Sequence, residues 1–175
     1  MKKLLLVIDM QNDFIDGALG TAEAESIVPV VVKKAEEFDG DVIFTRDTHF
    51  DNYMETQEGK KLPVPHCIQG THGWELHPEL ERLRLQKNLP VFDKLAFGCR
   101  ELPDWLAAHY PEGLESIELV GVCTDICVVS NALLLKAFFP ELPIRVTASA
   151  CAGVTPESHE NALKVMEICQ IEILP

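Results

Sequence analysis

Residues 1–175 are predicted to form one three-layer α/β/α domain around a six-stranded, mainly parallel sheet. Three observations lead there. Short apolar runs alternate with amphipathic stretches from end to end. The 175 residues are enough for one sizeable core. No repeat, low-complexity tract or interdomain linker breaks the pattern. In order, Leu4 to Ile8 reads as a strand, 23–38 as a helix and Val42 to Thr45 as a second strand. Leu89 to Phe92 is the third strand, Glu101 to His109 a helix, and Ile117 to Gly121 the fourth strand. A helix over Thr124 to Phe138 is stopped by Pro140, and Ile144 to Ala148 follows as strand five. Pro156 suits the start of a last helix over 156–168, before a sixth strand at Ile171 to Leu174.

Composition narrows the function classes. Apolar residues make up 47% and charged residues 25%, the balance of a folded soluble chain. A net charge of −13 repels phosphate backbones and anionic lipid, so neither nucleic acid nor a membrane is an expected partner. The apolar run ending at Ile8 is too short for a signal core of ~7–15 residues or a spanning helix of ~20. Six cysteines, without a CxxC pair, are expected as reduced thiols in the cytoplasm.

Asp47 to Gly73 departs from the alternation. It has little periodicity yet carries His49, Glu55, Glu58, His66, Cys67 and His72, and long aperiodic loops in compact domains are often functional. His72 and His77 read as structural, with His77 opening a short helix at Pro78.

Ligands of doubly wound sheets bind beyond the carboxyl ends of the strands. Asp9, then Asp47 and His49, then Asp93 and Lys94, then Cys123 to Cys127 all fall on that edge. Singly, each has an ordinary structural reading: a capping carboxylate, a solvated lysine, a small packed thiol. Together they bring an acid, a cation, a thiol and metal-type ligands to one place. Cys127 suits the first turn of its helix, where unpaired N–H groups and the dipole favour thiolate; Cys123 lies in the preceding turn. Lys94 would then support thiolate and carboxylate, while Asp9 moves protons to and from the sulfur. Asp47, His49 and His66 combine carboxylate and imidazole, a set suited to Zn²⁺, Mn²⁺ or Fe²⁺.

Asp9-Met10-Gln11-Asn12-Asp13-Phe14, Thr45-Arg46-Asp47-Thr48-His49, Lys94, and Gly121-Val122-x-Thr124-Asp125-x-Cys127-Val128 occur in that order. In this the chain resembles the isochorismatase-like cysteine hydrolases across nearly its whole length. The resemblance implies an Asp9–Lys94–Cys127 triad and a cis peptide before Cys123. It also implies an oxyanion hole from the N–H groups of Cys123 and Cys127, and a dimer or larger homo-oligomer. Asp47, His49 and His66 match the divalent-metal ligands of the nicotinamidase branch, which implies hydrolysis of a small carboxamide such as nicotinamide.

Two departures follow from that comparison. No histidine occurs between His49 and His66, so the fourth ligand is expected to be Glu58, with Glu55 the alternative. Phe14 matches the aromatic that stacks on the substrate ring. The tryptophan that often precedes the Pro-His segment is absent, leaving Trp74 or Phe97 for the second wall, while Trp105 reads as a core or interface residue. A metal-independent hydrolase of N-carbamoyl or ureido compounds keeps the same triad and is the nearest alternative. A non-enzymatic thiol-bearing binding or redox protein is another; isochorismate hydrolysis fits less well, since those relatives generally lack the nucleophilic cysteine.

Overall fold

Leu4 to Ile8 are fully buried in the first strand, β1 (Lys2–Ile8), as expected where a parallel sheet is covered on both faces. The computed structural model describes residues 1–175. The other strands are β2 (Asp41–Asp47), β3 (Val91–Lys94), β4 (Leu114–Val122), β5 (Ile144–Ala152) and β6 (Glu172–Leu174). Their order is β3-β2-β1-β4-β5-β6, and every neighbouring pair is parallel.

The helices are α1 (Asn12–Ile15), α2 (Ala22–Glu37), α3 (Gln57–Lys61), α4 (Pro78–Lys87), α5 (Leu102–His109), α6 (Val129–Phe138) and α7 (Pro156–Ile168). Alternation along β1 separates two cores. Leu5 and Val7 pack with Ile27, Val28 and Val31 of α2 and Leu80 of α4. Leu4, Leu6 and Ile8 face Leu102 and Leu106 of α5, Leu135 of α6 and Met166 of α7. α7 opens with Pro156 in its first turn and a capping box between Thr155 and Ser158. No helix is long and apolar enough to cross a membrane.

Three differences from the sequence reading bear directly on the site. β3 runs two residues later than Leu89–Phe92, so Lys94 is its last residue and pairs in register with Asp47. Residues 124–138 are not one α-helix: Thr124–Val128 form a π-helical turn before α6 begins. Such turns concentrate at functional sites. The 47–73 segment contains a 3₁₀ turn at Tyr53–Glu55 and α3, stabilised by the Thr56 side chain accepting from the Gly59 N–H at 3.0 Å. Strand order runs outward from β1 to β2 and β3 on one side and from β4 to β5 and β6 on the other, so the switch point lies between the ends of β1 and β4.

Candidate active site

Asp9 follows β1 with φ 48°, a left-handed conformation that is unusual for a side-chain-bearing residue. Beside it, Gly121 has φ 118°, and a Cβ there would fall 2.1 Å from the Ile8 carbonyl oxygen. Only glycine lets β4 approach so closely. Thr45 donates to Asp9 Oδ1 at 2.7 Å, and Lys94 Nζ lies 2.7 Å from Asp9 Oδ2. The same ammonium reaches Asp47 Oδ1 at 3.0 Å and Cys127 Sγ at 3.4 Å. All five side chains, Asp9, Thr45, Asp47, Lys94 and Cys127, are buried.

One ammonium thus faces two carboxylates and a thiol. Burial pushes the Asp9 carboxyl above its ordinary value, with Lys94 pulling the other way. Burial also raises the Cys127 thiol well above its usual range, and the neighbouring Asp9 carboxylate adds to the effect. Burial and Asp9 thus work against the thiolate that a helix start would favour. For Lys94, burial works against the charge, but Asp9, Cys127 and Asp47 outweigh it and hold the ammonium firmly protonated.

The far side of Asp47 faces the histidines. Asp47 Oδ2 is 3.0 Å from His49 Nε2 and 3.7 Å from His66 Nε2, and Glu58 Oε1 lies within 3.6 and 3.7 Å of those nitrogens. One ligand atom from each of Asp47, His49, Glu58 and His66 lies within 4.8 Å of the others. Glu55 is outside the group. His66 Nδ1 donates to the Val64 carbonyl at 2.8 Å, which turns Nε2 toward the cluster. Burial opposes ionisation of Asp47, yet hydrogen bonds from both histidines and the Lys94 charge hold it far below the usual carboxylate range. Two imidazoles and two carboxylates fit a divalent cation of the zinc, manganese or iron type.

Thiol and cluster share one cavity of about 650 Å³. Cys123 and Cys127 line it, as do Asp47, Glu58 and His66; Phe14 and Phe97 contribute aromatic walls. The Val122–Cys123 peptide is cis. Trp74 does not reach the cavity. Its ring carries the Arg46 guanidinium at 3.7 Å and its indole N–H donates to Thr48 Oγ1 at 2.9 Å. Asp93 also turns away, binding Arg46 at 2.7 Å. Trp105 packs on Phe92, His109 and Tyr110. His72 is exposed, and His77 precedes α4.

The isochorismatase domain model matches residues 3–174. The chain belongs to the isochorismatase family. It is 29% identical to the nicotinamidase/pyrazinamidase of Mycobacterium tuberculosis, covering 98% of each chain. The solved nicotinamidase/pyrazinamidase of Bacillus subtilis superposes with a TM-score of 0.83 at 29% identity, covering 100% of both. The pyrazinamidase of Pyrococcus horikoshii, solved in complex with zinc, gives 0.76 at 27% identity, with 99% of each chain covered.

Three buried polar residues of this isochorismatase-family site were not assigned roles from sequence. Gln11 accepts from the Asp47 N–H at 2.7 Å and donates to the carbonyls of Asp47 and Trp74, both at 2.9 Å, so it fixes the backbone of the shared carboxylate. Thr45 aims Asp9. Asn131 accepts from the Cys99 N–H at 2.8 Å and donates to the Phe97 and Cys127 carbonyls at 3.1 and 2.8 Å. It ties the loop after β3 to the nucleophile's turn. The available signal is position: Gln11 lies in the turn just past the apolar first strand, after Asp9 and Met10, and Asn131 sits one helical turn after Cys127.

Proposed function

We propose that this chain is a cysteine amidohydrolase that cleaves nicotinamide to nicotinate and ammonia. The observation that carries the reading is the cavity shared by a buried thiol, held by Lys94 between two carboxylates, and a four-residue ligand cluster. Relatives named nicotinamidase, alike over almost their whole length, support the same substrate.

Asp9 takes the proton of Cys127 as the sulfur attacks the amide carbon, so no free thiolate accumulates among the carboxylates. Lys94 keeps its charge and offsets the anion forming beside it. N–H groups of Cys123 and Cys127 receive the developing oxyanion. The C–N bond then breaks, Asp9 returns its proton to the leaving nitrogen, and ammonia departs from the thioester. Asp9 next accepts a proton from water as it attacks the thioester carbon. The C–S bond breaks to release the acid, and Cys127 regains its proton. Phe14 and Phe97 hold the ring. Asp47, His49, Glu58 and His66 would hold the divalent cation, which supplies a Lewis-acidic anchor for a heteroaromatic substrate.

The same reading makes the enzyme a cytoplasmic homo-oligomer acting on a free small molecule; all six thiols are unpaired, which suits a reducing compartment. Ammonia release from nicotinamide, with Zn²⁺, Mn²⁺ or Fe²⁺ supplied in turn and Cys127→Ala as blank, tests the assignment. Release that needs both Cys127 and the cation is expected. Turnover of an N-carbamoyl compound without any cation, and none of nicotinamide, would replace it with the metal-independent alternative.

A further inference from the structure

The cavity is larger and more apolar than one pyridine ring requires. At about 650 Å³ it lies within the ~300–1,000 Å³ range of cavities that enclose drug-sized molecules. Thirteen of its 20 lining residues are hydrophobic, and its charged ligand-type side chains, Asp47, Glu58 and His66, sit together at the reacting end. Away from the thiol and the ligand cluster, the polar side chains of the lining are Thr21, Gln57 and Lys61.

Four side chains from three connections make an apolar rim. Leu62 follows α3, Leu95 and Phe97 follow β3, and Val154 follows β5. They are 39%, 69%, 44% and 52% exposed. Single exposed apolar residues are ordinary, but four that converge on the cavity of a reactive thiol mark a binding surface. Two of the rim segments are held to the reactive centre. The Phe97 carbonyl accepts from Asn131, which also binds the Cys127 carbonyl, and the Val154 N–H donates to Asp125 of the nucleophile's turn at 3.1 Å. The Leu62 carbonyl accepts from the Tyr53 hydroxyl at 2.9 Å, and that tyrosine packs edge-on against His49 and His66.

Building on the amidase reading, we infer that the enzyme prefers heteroaromatic carboxamides that carry an apolar extension, such as a fused second ring, over unsubstituted nicotinamide. The carboxamide sits at Cys127, and the added carbons cover Leu62, Phe97 and Val154. Each buried methylene contributes about fourfold in affinity, so a fused benzo ring, part of which stays wet at the rim, is expected to lower KM about tenfold. The change in kcat should stay within about threefold, because the reacting atoms are unaltered.

The test compares nicotinamide with quinoline-3-carboxamide on the metal-replete enzyme, by ammonia release, for the wild type and a Leu62→Ser/Val154→Ser variant. The expected result is a KM about tenfold lower for the two-ring amide, with that preference lost in the rim variant. Hydrolysis of nicotinamide with an equal or higher KM for the quinoline amide overturns the inference and leaves the amidase reading intact. Hydrolysis of neither overturns both. Equal KM values together with a rim variant that sediments as a smaller species would mean that a second copy of the chain covers the rim, which also contradicts the inference.

Discussion

Lys94 donates to Asp47 Oδ1 at 3.0 Å, while Oδ2 of the same carboxylate faces His49 and His66 at 3.0 and 3.7 Å. A single buried carboxylate therefore links the thiol's environment to the ligand cluster. In-register pairing of the two residues at the ends of β2 and β3 creates the link.

Removing Lys94 should damage the fold as well as the chemistry. Lys94→Met leaves Asp9 and Asp47 buried without their cation, an arrangement that costs about 3–5 kcal/mol. Thermal unfolding should show the loss, and adding Asp9→Asn should recover part of the stability while ammonia release stays absent. A full recovery of activity in the double variant would contradict the proton-transfer role of Asp9.

Asp9→Asn should separate thiol reactivity from turnover. The Asp9 carboxylate is among the causes that hold the Cys127 thiol up, after burial itself. Its removal lowers the thiol pKa, so alkylation by iodoacetamide at a fixed pH near 8 should become faster. Amide hydrolysis should nevertheless fall by on the order of 10³-fold or more, with no base to receive the proton.

The acid limb of activity follows from Asp9, whose carboxyl is raised above its ordinary 3.8, chiefly by burial. Ionised Asp9 is the working form, so kcat/KM should decline as pH falls through a value above that of a free aspartate. Because burial outweighs the Lys94 ion pair, linkage has the opposite sign to that of a carboxylate whose pKa is lowered on folding: the folded state binds this proton more tightly than the unfolded chain. The stability from Asp9 protonation is complete below 3.8 and is lost as pH rises through the folded value. Proton inventories of Asp9→Asn against wild type, by titration across the acid range, check it.

The cluster should bind a cation measurably. Zn²⁺ or Mn²⁺ at 100 times Kd adds about 2.7 kcal/mol, a rise in Tm of roughly 5–10 °C for a chain of this size. Glu58→Gln should shrink the rise and Glu55→Gln should leave it, since Glu55 lies outside the cluster. Equal shifts in both variants would remove Glu58 from the ligand set.

Much of this was readable from strand ends. The alternation of apolar runs and amphipathic stretches suffices for an α/β sheet, and strand-end residues such as Asp9 and Asp47 necessarily meet on one edge. Register was not readable: Leu89 and Pro90 look as strand-like as Val91, and only pairing with β2 makes Lys94 the closing residue opposite Asp47. The π turn was hidden because Thr124–Phe138 reads as a continuous helix, and it arises where the chain leaves β4 beside Gly121. The burial around the thiol is hidden from the sequence for a related reason. A helix start argues for thiolate, but complete burial beside Asp9 outweighs it, and burial is a property of packing.

Acyl-enzyme trapping tests the central claim most directly. Metal-replete enzyme is mixed with nicotinamide, quenched in acid within the first turnovers, digested and weighed by mass spectrometry. The expected result is one nicotinoyl group on the peptide containing Cys127, absent from Cys127→Ala. Ammonia release at the wild-type rate by Cys127→Ala would contradict a covalent mechanism at this thiol.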